Sequence, residues 1–255
     1  MIRLFVTDID GCLATPYRPF RLQILSRLRD YAREAGLPGS HSILPAFSLC
    51  SGRAYAYVEA MSQVLALTTP VLFESGTGMF DPLQSVCSWH PDLDDKTIAN
   101  MKEVRVFMDN LVQDTVLSID LAKSSQVAIV APGPDEIHDA VQKIAAYVSE
   151  SHPTFKTFHT SFSVDVVAAH LTKRSGIAWL AKWCGLEMNE IAFVGDTNGD
   201  IDALKAVGRS YAPANADTEV KEIVQWVMKG ADAEGVLEAY LDVLQFNENV
   251  NRVVA

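Results

Sequence analysis

The chain has 255 residues, of which 49% are hydrophobic, enough for one sizeable α/β core with an inserted subdomain or for two modest domains. Its formal net charge of −11 argues against a nucleic-acid-binding protein, because such proteins contact phosphates through clustered Lys and Arg. The sequence contains no apolar run of about 18 residues, so we predict no membrane-spanning helix.

The first part of the chain alternates short apolar runs rich in β-formers with helical patterns. We predict strands at Leu4–Thr7, 46–50 and Val71–Phe73. Between the strands, apolar residues recur at helical spacing over residues 22–32 and 54–65. This alternation is typical of βαβ units around a parallel sheet.

The pattern changes between Asp81 and about Ala169. In order, it predicts a helix, two strands, a helix and two strands at residues 98–111, 115–121, 125–131, 137–148, 155–159 and 162–167. The strands are adjacent in sequence, which favours antiparallel pairing. We therefore interpret this segment as an α+β subdomain inserted into the core.

Past the insertion the α/β alternation returns. It predicts a helix over 177–184, a strand at Ile191–Val194, a short helix near 201–204 and a last strand near 210–212. The predicted fold class is therefore α/β, a doubly wound parallel sheet with an inserted α+β cap domain. Residues 1–81 and 170–255 are predicted to form the core domain, and residues 82–169 the cap domain.

Polar residues follow three of the predicted core strands. Asp8 and Asp10 come after the first strand, Ser51 after the second, and Asp196 after the strand at Ile191–Val194. The carboxyl ends of parallel strands line the ligand crevice of an open α/β sheet. We therefore expect these residues to converge although they are remote in sequence.

Two acidic clusters predict a metal site. Asp8 and Asp10 lie two residues apart at the end of a strand, with Gly11 permitting a tight turn beside a ligand. Asp196 and Asp200 form the second cluster. Neighbouring carboxylates repel each other unless a cation or a shared proton compensates, and their oxygens are the ligands that Mg²⁺ prefers.

A phosphate must be held locally in so acidic a protein. Ser51 offers a hydroxyl, and Gly52 leaves room for backbone N–H groups to approach an anion. Lys173 supplies the compact positive charge that a transferred phosphoryl group needs.

Together these motifs resemble those of the haloacid dehalogenase-like (HAD) phosphohydrolases. Four motifs stand in the family's order: Asp8-Ile-Asp10-Gly11, Ser51-Gly52-Arg53, Lys173, and Gly195-Asp196-Thr-Asn-Gly-Asp200. The insertion lies where the family's type-two cap sits. Its αββαββ order is similar to that of the Cof-type and sucrose-phosphatase-like subgroup, which includes sugar-phosphate and phosphoglycolate phosphatases. The resemblance covers essentially the whole chain and implies a Rossmann-like, HAD-like core.

The resemblance implies a role for each matching residue. Asp8 would be the nucleophile that becomes an aspartyl phosphate, and Asp10 the general acid and base. Mg²⁺ would be held by the side chains of Asp8 and Asp196 and by the main-chain carbonyl of Asp10. Asp200 would orient metal-bound waters or Lys173.

The remaining matches concern the phosphate. Ser51 would donate a hydrogen bond to a phosphoryl oxygen, and Lys173 would neutralise charge on Asp8 and on the phosphate. Gly11, Gly52 and Arg53 complete the predicted phosphate and substrate contacts, although a surface position for Arg53 stays open.

Three positions depart from the family pattern. Cys12 stands where Thr is commonest, and Gly199 where Asn is frequent. Lys173 is followed by Arg174 rather than by Gly, so Arg174 is an alternative to Lys173 as the cation that faces the site. The segment from Glu74 to Gly78 resembles an Asn-Gly segment of relatives that faces the cap. We favour a structural turn there over a substrate contact.

The implied activity is Mg²⁺-dependent hydrolysis of a small phosphomonoester, either a sugar phosphate or a phosphoglycolate-like compound. Two alternatives stay open: a phosphomutase or phosphotransferase, and a non-catalytic phosphoacceptor or sugar-phosphate-binding protein. The expected partner is a small phosphorylated metabolite, and the protein is expected to be a monomer or homodimer. Four widely spaced cysteines without a CxxC pair favour free thiols and a cytoplasmic location.

Overall fold

Five parallel strands form the central sheet of the structure, a computed structural model that describes residues 1–160 and 162–254. In spatial order the strands are β12 (Trp226–Val227), β11 (Arg209–Ala212), β10 (Ile191–Val194), β1 (Leu4–Thr7) and β2 (Ala46–Leu49). All neighbours pair in parallel, and every residue of β1, β2 and β10 is buried. Continuous apolar runs are expected for parallel strands that are covered on both faces.

Helices cover both faces of this sheet. On one face, Phe5 and Phe47 pack with α1 (Leu22–Ala35), α2 (Tyr55–Val64) and α8 (Ala233–Val254). On the other face, β-strand residues such as Leu4 pack with α5 (Lys173–Cys184), α6 (Ile201–Leu204) and α7 (Thr218–Ile223). The predicted doubly wound parallel sheet is thereby confirmed. Among the described helices, none combines the length and apolar character needed to cross a membrane.

A second, antiparallel sheet extends the core beyond β2. It consists of β3 (Val71–Phe73), β4 (Gly78–Asp81) and β5 (Val86–Trp89). The sequence predicts only the first of these strands. The strand pattern of β4 is weak because the strand begins with glycine, which the fold requires since a Cβ there would overlap the Phe73 ring. β5 is exposed throughout and lacks an apolar pattern.

The cap contains a four-stranded antiparallel sheet in the order β6 (Ser118–Ile119), β7 (Val127–Val130), β9 (Ser163–Ala168) and β8 (Phe155–His159). Helices α3 (Asp95–Leu111) and α4 (Pro134–Ser151) pack against it through a hydrophobic cluster separate from those of the core. The predicted αββαββ order is confirmed. The domain limits of 82 and 169 stay a prediction, which this separate cluster supports.

The bounds of the cap strands differ from those predicted. β6 spans two residues rather than the predicted 115–121, because Val116 and Leu121 are exposed and bury no apolar surface. Apolar side chains alone therefore do not make a strand at this edge of the sheet.

Helix α8 is the largest element that the sequence does not predict. Tyr240 is fully buried and donates a hydrogen bond to the carbonyl of Pro45 at 2.9 Å, and Asn247 donates to the carbonyl of Ile2 at 2.7 Å. The helix thereby ties the C-terminal part of the chain to the start of β1 and β2, the strands that carry the first two motifs.

Candidate active site

The polar residues that follow β1, β2 and β10 meet at one end of the sheet. The register pairs Thr7 of β1 with Leu49 of β2 and with Val194 of β10, so Asp8, Ser51 and Asp196 emerge side by side. All three line one cavity of about 480 Å³ between the core and the cap. The convergence predicted from the strand ends is present in the structure.

The carboxylate of Asp8 is buried and held from two sides. Its Oδ1 accepts a hydrogen bond from the Ile9 N–H at 2.6 Å, and its Oδ2 lies 2.5 Å from the Lys173 Nζ. Burial raises the pKa of Asp8 to about 6 because it disfavours the charged form, while the ammonium of Lys173 opposes the shift. The side chain is fixed in one orientation facing the cavity.

Lys173 bridges the two acidic clusters. Its Nζ lies 2.6 Å from the Asp200 Oδ1 as well as contacting Asp8. Burial by itself would lower the pKa of Lys173, but the charges of Asp200 and Asp8 outweigh it and raise that pKa well above its ordinary value. Arg174 is exposed, so Lys173 is the cation that faces the site.

The start of α5 places Lys173. Thr172 caps the helix in a capping box. The Thr172 side chain accepts from the Ser175 N–H, and the Ser175 side chain accepts from the Thr172 N–H. Gly176 then lets the helix touch the turn at Gly76, where a Cβ on Gly76 would lie 2.7 Å from the Gly176 Cα. Two glycines therefore bring the first turn of α5 against the core loop.

Asp200 organises the loop that carries Asp196. Its Oδ2 accepts hydrogen bonds from the N–H groups of Asp196 and Thr197, each at 3.1 Å, and its Oδ1 contacts Lys173. It is fully buried and does not line the cavity. This arrangement supports the predicted role of orienting other groups.

Asp196 lies beside an excess of negative charge. Burial raises the pKa of Asp196 to about 9, and the charges of Asp200 and Asp8 add to that shift. Carboxylate oxygens of Asp8, Asp196 and Asp200 all lie within 4.8 Å of one another. Lys173 is the cation that contacts this cluster, so one positive charge faces three carboxyl groups.

These residues fit a divalent cation. The donor set consists of hard carboxylate oxygens, which Mg²⁺ prefers, and three buried carboxyl groups face the one ammonium of Lys173. A cation between Asp8 and Asp196 would supply the missing charge. The cluster can therefore hold the metal that the resemblance implies.

Gly11 and Cys12 shape the surroundings of Asp196. Gly11 has a φ of +73°, and a Cβ there would overlap the Asp196 carboxylate, so the turn requires glycine for both conformation and space. The Cys12 Sγ lies 3.6 Å from the Asp196 Oδ1, and burial raises the pKa of its thiol well above the ordinary value. Cys12 thus contacts Asp196 as a neutral thiol.

Asp10 is held by Arg53 instead of by the carboxylate cluster. The Arg53 Nε and Nη2 donate to the two oxygens of Asp10 at 2.6 and 2.7 Å. The guanidinium also lies over the rings of Tyr17 and Tyr57. Arg53 is therefore a half-buried residue that lines the cavity, and its contact with phosphate or substrate stays a prediction.

Ser51 and Gly52 lie in the cavity beside Asp8 and Lys173. The Ser51 hydroxyl oxygen accepts a hydrogen bond from the Arg53 N–H at 3.3 Å, and its proton remains available to a ligand. Gly52 is not required sterically, since a Cβ would meet only the Ser75 Oγ at 3.6 Å.

Several cavity residues were not predicted from the sequence. On the core side, the Asn215 side chain donates to the carbonyl of Gly11 at 2.8 Å. Opposite the carboxylates stands the cap wall, which we define by its inward-facing residues: Lys123, Val130, Phe158, Asp165 and Val167. Asp165 and Val167 alternate along β9, a signal that identifies one face of the strand but not what that face opposes, and Lys123 lies in the loop before β7.

The sequence profile of the haloacid dehalogenase-like hydrolases matches residues 95–240, more than half of the chain. The chain belongs to this family. The matched range contains Lys173, Asp196 and Asp200 of the site. The predictions of an HAD hydrolase and of an enzyme are confirmed.

Similar HAD proteins match nearly the whole chain. The phosphoglycolate phosphatase of Methanothermobacter thermautotrophicus is 24% identical over 239 residues, covering 93% of this chain and 97% of that protein. The phosphoglycolate phosphatase of Thermoplasma acidophilum is 26% identical over 229 residues, covering 89% and 92%.

Solved structures share the HAD fold. The crystal structure of Thermoplasma acidophilum 0175 superposes with a TM-score of 0.72 at 20% identity, covering 95% of this chain and 98% of that one. The sucrose-phosphatase of Synechocystis sp. PCC6803, in complex with sucrose and phosphate, gives a TM-score of 0.67 at 15% identity, covering 95% and 98%. The HAD core with its inserted cap is therefore the architecture of this chain.

Proposed function

We propose that this HAD hydrolase is a Mg²⁺-dependent phosphatase that hydrolyses a small phosphomonoester through an aspartyl phosphate formed on Asp8. The observation that carries the proposal is the cluster of buried Asp8, Asp196 and Asp200 carboxylates, bridged by Lys173 and open to a ligand-sized cavity. Such a site can neutralise the charge of a phosphoryl group while holding a nucleophile against it.

Asp8 is the proposed nucleophile. One of its carboxylate oxygens forms a bond to phosphorus while the bond from phosphorus to the leaving-group oxygen breaks. The Ile9 N–H and the Lys173 ammonium fix the carboxylate, so little reorganisation precedes attack. Ser51 and Lys173 lie beside it to contact the phosphoryl oxygens.

Asp10 is the proposed proton carrier. It gives a proton to the departing alkoxide and then takes one from the water that attacks the phosphorus of the aspartyl phosphate, releasing phosphate and free Asp8. Arg53 occupies one side of each Asp10 oxygen in the structure. A leaving-group oxygen must therefore approach the other side of the carboxylate or displace Arg53.

Asp8, Asp196 and the main-chain carbonyl of Asp10 are the residues proposed to hold Mg²⁺, which would neutralise charge on the phosphoryl oxygens. Asp200 keeps Asp196 and Lys173 in place through the bonds described above. Gly11 leaves the space that the Asp196 carboxylate occupies.

The proposed substrate is a small phosphorylated metabolite. The cavity of about 480 Å³ accommodates a sugar phosphate as well as a smaller organic-acid phosphate. The names of the relatives, phosphoglycolate phosphatase and sucrose-phosphatase, support both classes.

Phosphate release tests the proposal. Purified protein is assayed with hexose, pentose and three-carbon phosphates and with phosphoglycolate, in Mg²⁺ and in EDTA. We expect turnover that requires Mg²⁺ and falls by about 10³-fold or more in Asp8→Asn, which removes the nucleophilic oxygen. The exposed Asp202→Asn serves as a matched control. Full turnover in Asp8→Asn would rule out the proposed nucleophile.

A further inference from the structure

The turn after β3 holds two consecutive non-glycine residues in the left-handed region of backbone conformation. Glu74 has a φ of +47° and Ser75 a φ of +57°. Such strain persists only where surrounding contacts impose it, and it is concentrated at functional sites. Here the Glu74 N–H donates to the Arg53 carbonyl at 2.9 Å and the Ser75 N–H to the Ser51 carbonyl at 2.8 Å. The turn is thus fastened to the loop that follows β2.

The strained conformation directs the Glu74 side chain into the cap. Its Oε1 accepts from the Ser124 N–H at 2.8 Å, and its Oε2 accepts from both the N–H and the hydroxyl of Ser125 at 2.6 Å. The Gln126 side chain donates to the Glu74 carbonyl at 2.6 Å. Glu74 is 1% exposed. One core residue therefore binds three consecutive cap residues.

Lys123 immediately precedes this fastened segment and belongs to the cap wall. Its ammonium forms an ion pair with Asp165 of β9, and the Ser163 hydroxyl donates to the other Asp165 oxygen at 3.3 Å. The Lys123 side chain is 8% exposed, so its position is well defined. It also borders a second cavity of about 300 Å³, so no packed layer supports the segment on that side.

The charges of the cap wall indicate which leaving groups suit it. Lys123 is already neutralised by Asp165, and Asp120 adds a further carboxylate to the cavity lining. Hydroxyl groups can accept from Lys123 and donate to Asp165 or Asp120. A carboxylate in the same place would face two like charges and one cation that is already paired.

Resting on the proposed phosphatase function, we propose that Glu74 is a positioning residue that holds the segment 124–126 to the core, so that Lys123 and Asp165 contact a hydroxyl-bearing leaving group. Lys123 and Asp165 are then specificity-determining residues for the substrate. Glu74 touches neither the phosphate nor the leaving group and acts through Lys123.

Steady-state kinetics test the kinetic part of the proposal. We expect Glu74→Gln and Lys123→Met to raise KM for a hexose 6-phosphate by about tenfold, while kcat for acetyl phosphate, whose leaving group carries no hydroxyl, stays within about threefold. Asp81→Asn is the matched control for Glu74→Gln, because Asp81 lies on β4 and accepts two backbone N–H bonds from Leu83 and Gln84 without touching the cap segment. Lys156→Met, a substitution at an exposed lysine, is the matched control for Lys123→Met.

Backbone hydrogen exchange tests the positioning part without any substrate. The amides of Ser124 and Ser125 should exchange about tenfold faster in Glu74→Gln than in wild type or Asp81→Asn, with the melting temperature recorded for each variant. Unchanged exchange at these amides would overturn the positioning role. Hydrogen exchange tests the positioning role even if wild type hydrolyses none of the substrates. Absence of hydrolysis would contradict the proposed phosphatase function but not the contact between Glu74 and the cap.

Substrate preference tests the assignment of the leaving group. Wild type should show a higher kcat/KM for the hexose 6-phosphate than for phosphoglycolate, and Lys123→Met should narrow that ratio. A tenfold preference of wild type for phosphoglycolate, or an unchanged KM in both variants, would overturn the specificity role of Lys123 and Asp165.

Discussion

The core side of the cavity, which we call the core wall (Asp8, Asp10, Ser51, Lys173 and Asp196), differs from the cap wall in how its side chains are held. On the core wall, the Asp8 carboxylate bonds to the Ile9 N–H and to the buried ammonium of Lys173, which Asp200 contacts from outside the cavity. On the cap wall, Lys123 and Asp165 form an ion pair with each other, and their side chains are 8% and 19% exposed. Lys173 thus joins a buried cluster of several carboxyl groups, whereas Lys123 has one acidic partner, so we expect the loss of Lys173 to cost more folding stability than the loss of Lys123.

The largest effect in this comparison is expected for Lys173→Met. Removing the ammonium leaves the buried carboxylates of Asp8 and Asp200 without their cation, and breaking a buried ion pair in this way destabilises a fold by about 3–5 kcal/mol. Turnover should also fall by about 10³-fold. Urea unfolding measures the loss of stability, and phosphate release measures the loss of turnover. The control is Lys182→Met, at an exposed lysine of the same helix. Wild-type stability in Lys173→Met would show that the core wall is not held by this charge.

A second substitution acts on the core wall sterically, without removing a charged group. Gly11→Ala places a Cβ over the Asp196 carboxylate at a backbone conformation that disfavours alanine, so Mg²⁺ affinity should fall by about 10–100-fold. Titration calorimetry with Mg²⁺ measures the loss. Gly52→Ala has room for its Cβ and should retain wild-type Mg²⁺ affinity. Equal affinities in all three proteins would contradict the packing of Gly11 against Asp196.

Asp196→Asn should separate stability from function on the same wall. Because the folded-state pKa of Asp196 is raised to about 9, folding binds a proton there, and wild-type stability falls as pH rises from about 4 through 9. At pH 8 in EDTA, the neutral Asn should therefore be more stable by about 1–2 kcal/mol, a rise in melting temperature of about 2–8 °C.

The pH dependence supplies the control for this experiment. The difference in melting temperature between Asp196→Asn and wild type should shrink toward pH 4, where Asp196 is protonated in both the folded and unfolded states. Saturating Mg²⁺ should stabilise wild type and not the variant. A variant less stable than wild type at pH 8 in EDTA would show that the Asp196 charge is compensated.

The smallest effect is expected on the cap wall. Phe158 is half-buried and approaches the core at Gly199, so Phe158→Ala removes apolar surface from the cavity. We expect KM to rise by about threefold, with a stability change of about 1 kcal/mol or less. Phe107→Ala, which removes a cap aromatic stacked on Tyr147 outside the cavity, should leave KM unchanged. A loss of stability as large as that of Lys173→Met would erase the contrast between the two walls.

The same contrast explains what could be predicted from the sequence. Asp8, Ser51 and Asp196 could be placed because each follows a continuous apolar run, and parallel strands bring their carboxyl ends together. Lys173 could be proposed from the compact charge of its ammonium and from the resemblance to HAD hydrolases, but the sequence leaves the adjacent Arg174 as an alternative. Burial and two acidic partners, visible only in the structure, make that distinction.

Other features could not be predicted, because they depend on contacts between distant segments. The pairing of Arg53 with Asp10 and that of Lys123 with Asp165 join residues about 40 positions apart that carry no shared pattern. The bond from Glu74 to the cap depends on left-handed backbone at two residues that ordinarily avoid it. Helix α8 lies beyond the last motif, and its position depends on contacts of Tyr240 and Asn247 with residues about 200 or more positions away.

The contact between Gly76 and Gly176 has a consequence for how this architecture can vary. With no side chain on either residue, the two main chains meet directly, and the turn that bears Glu74 cannot shift without moving the helix that bears Lys173. A cap transplanted from another protein would need to begin after this glycine contact, so that the spacing between the Glu74 turn and the Lys173 helix is kept.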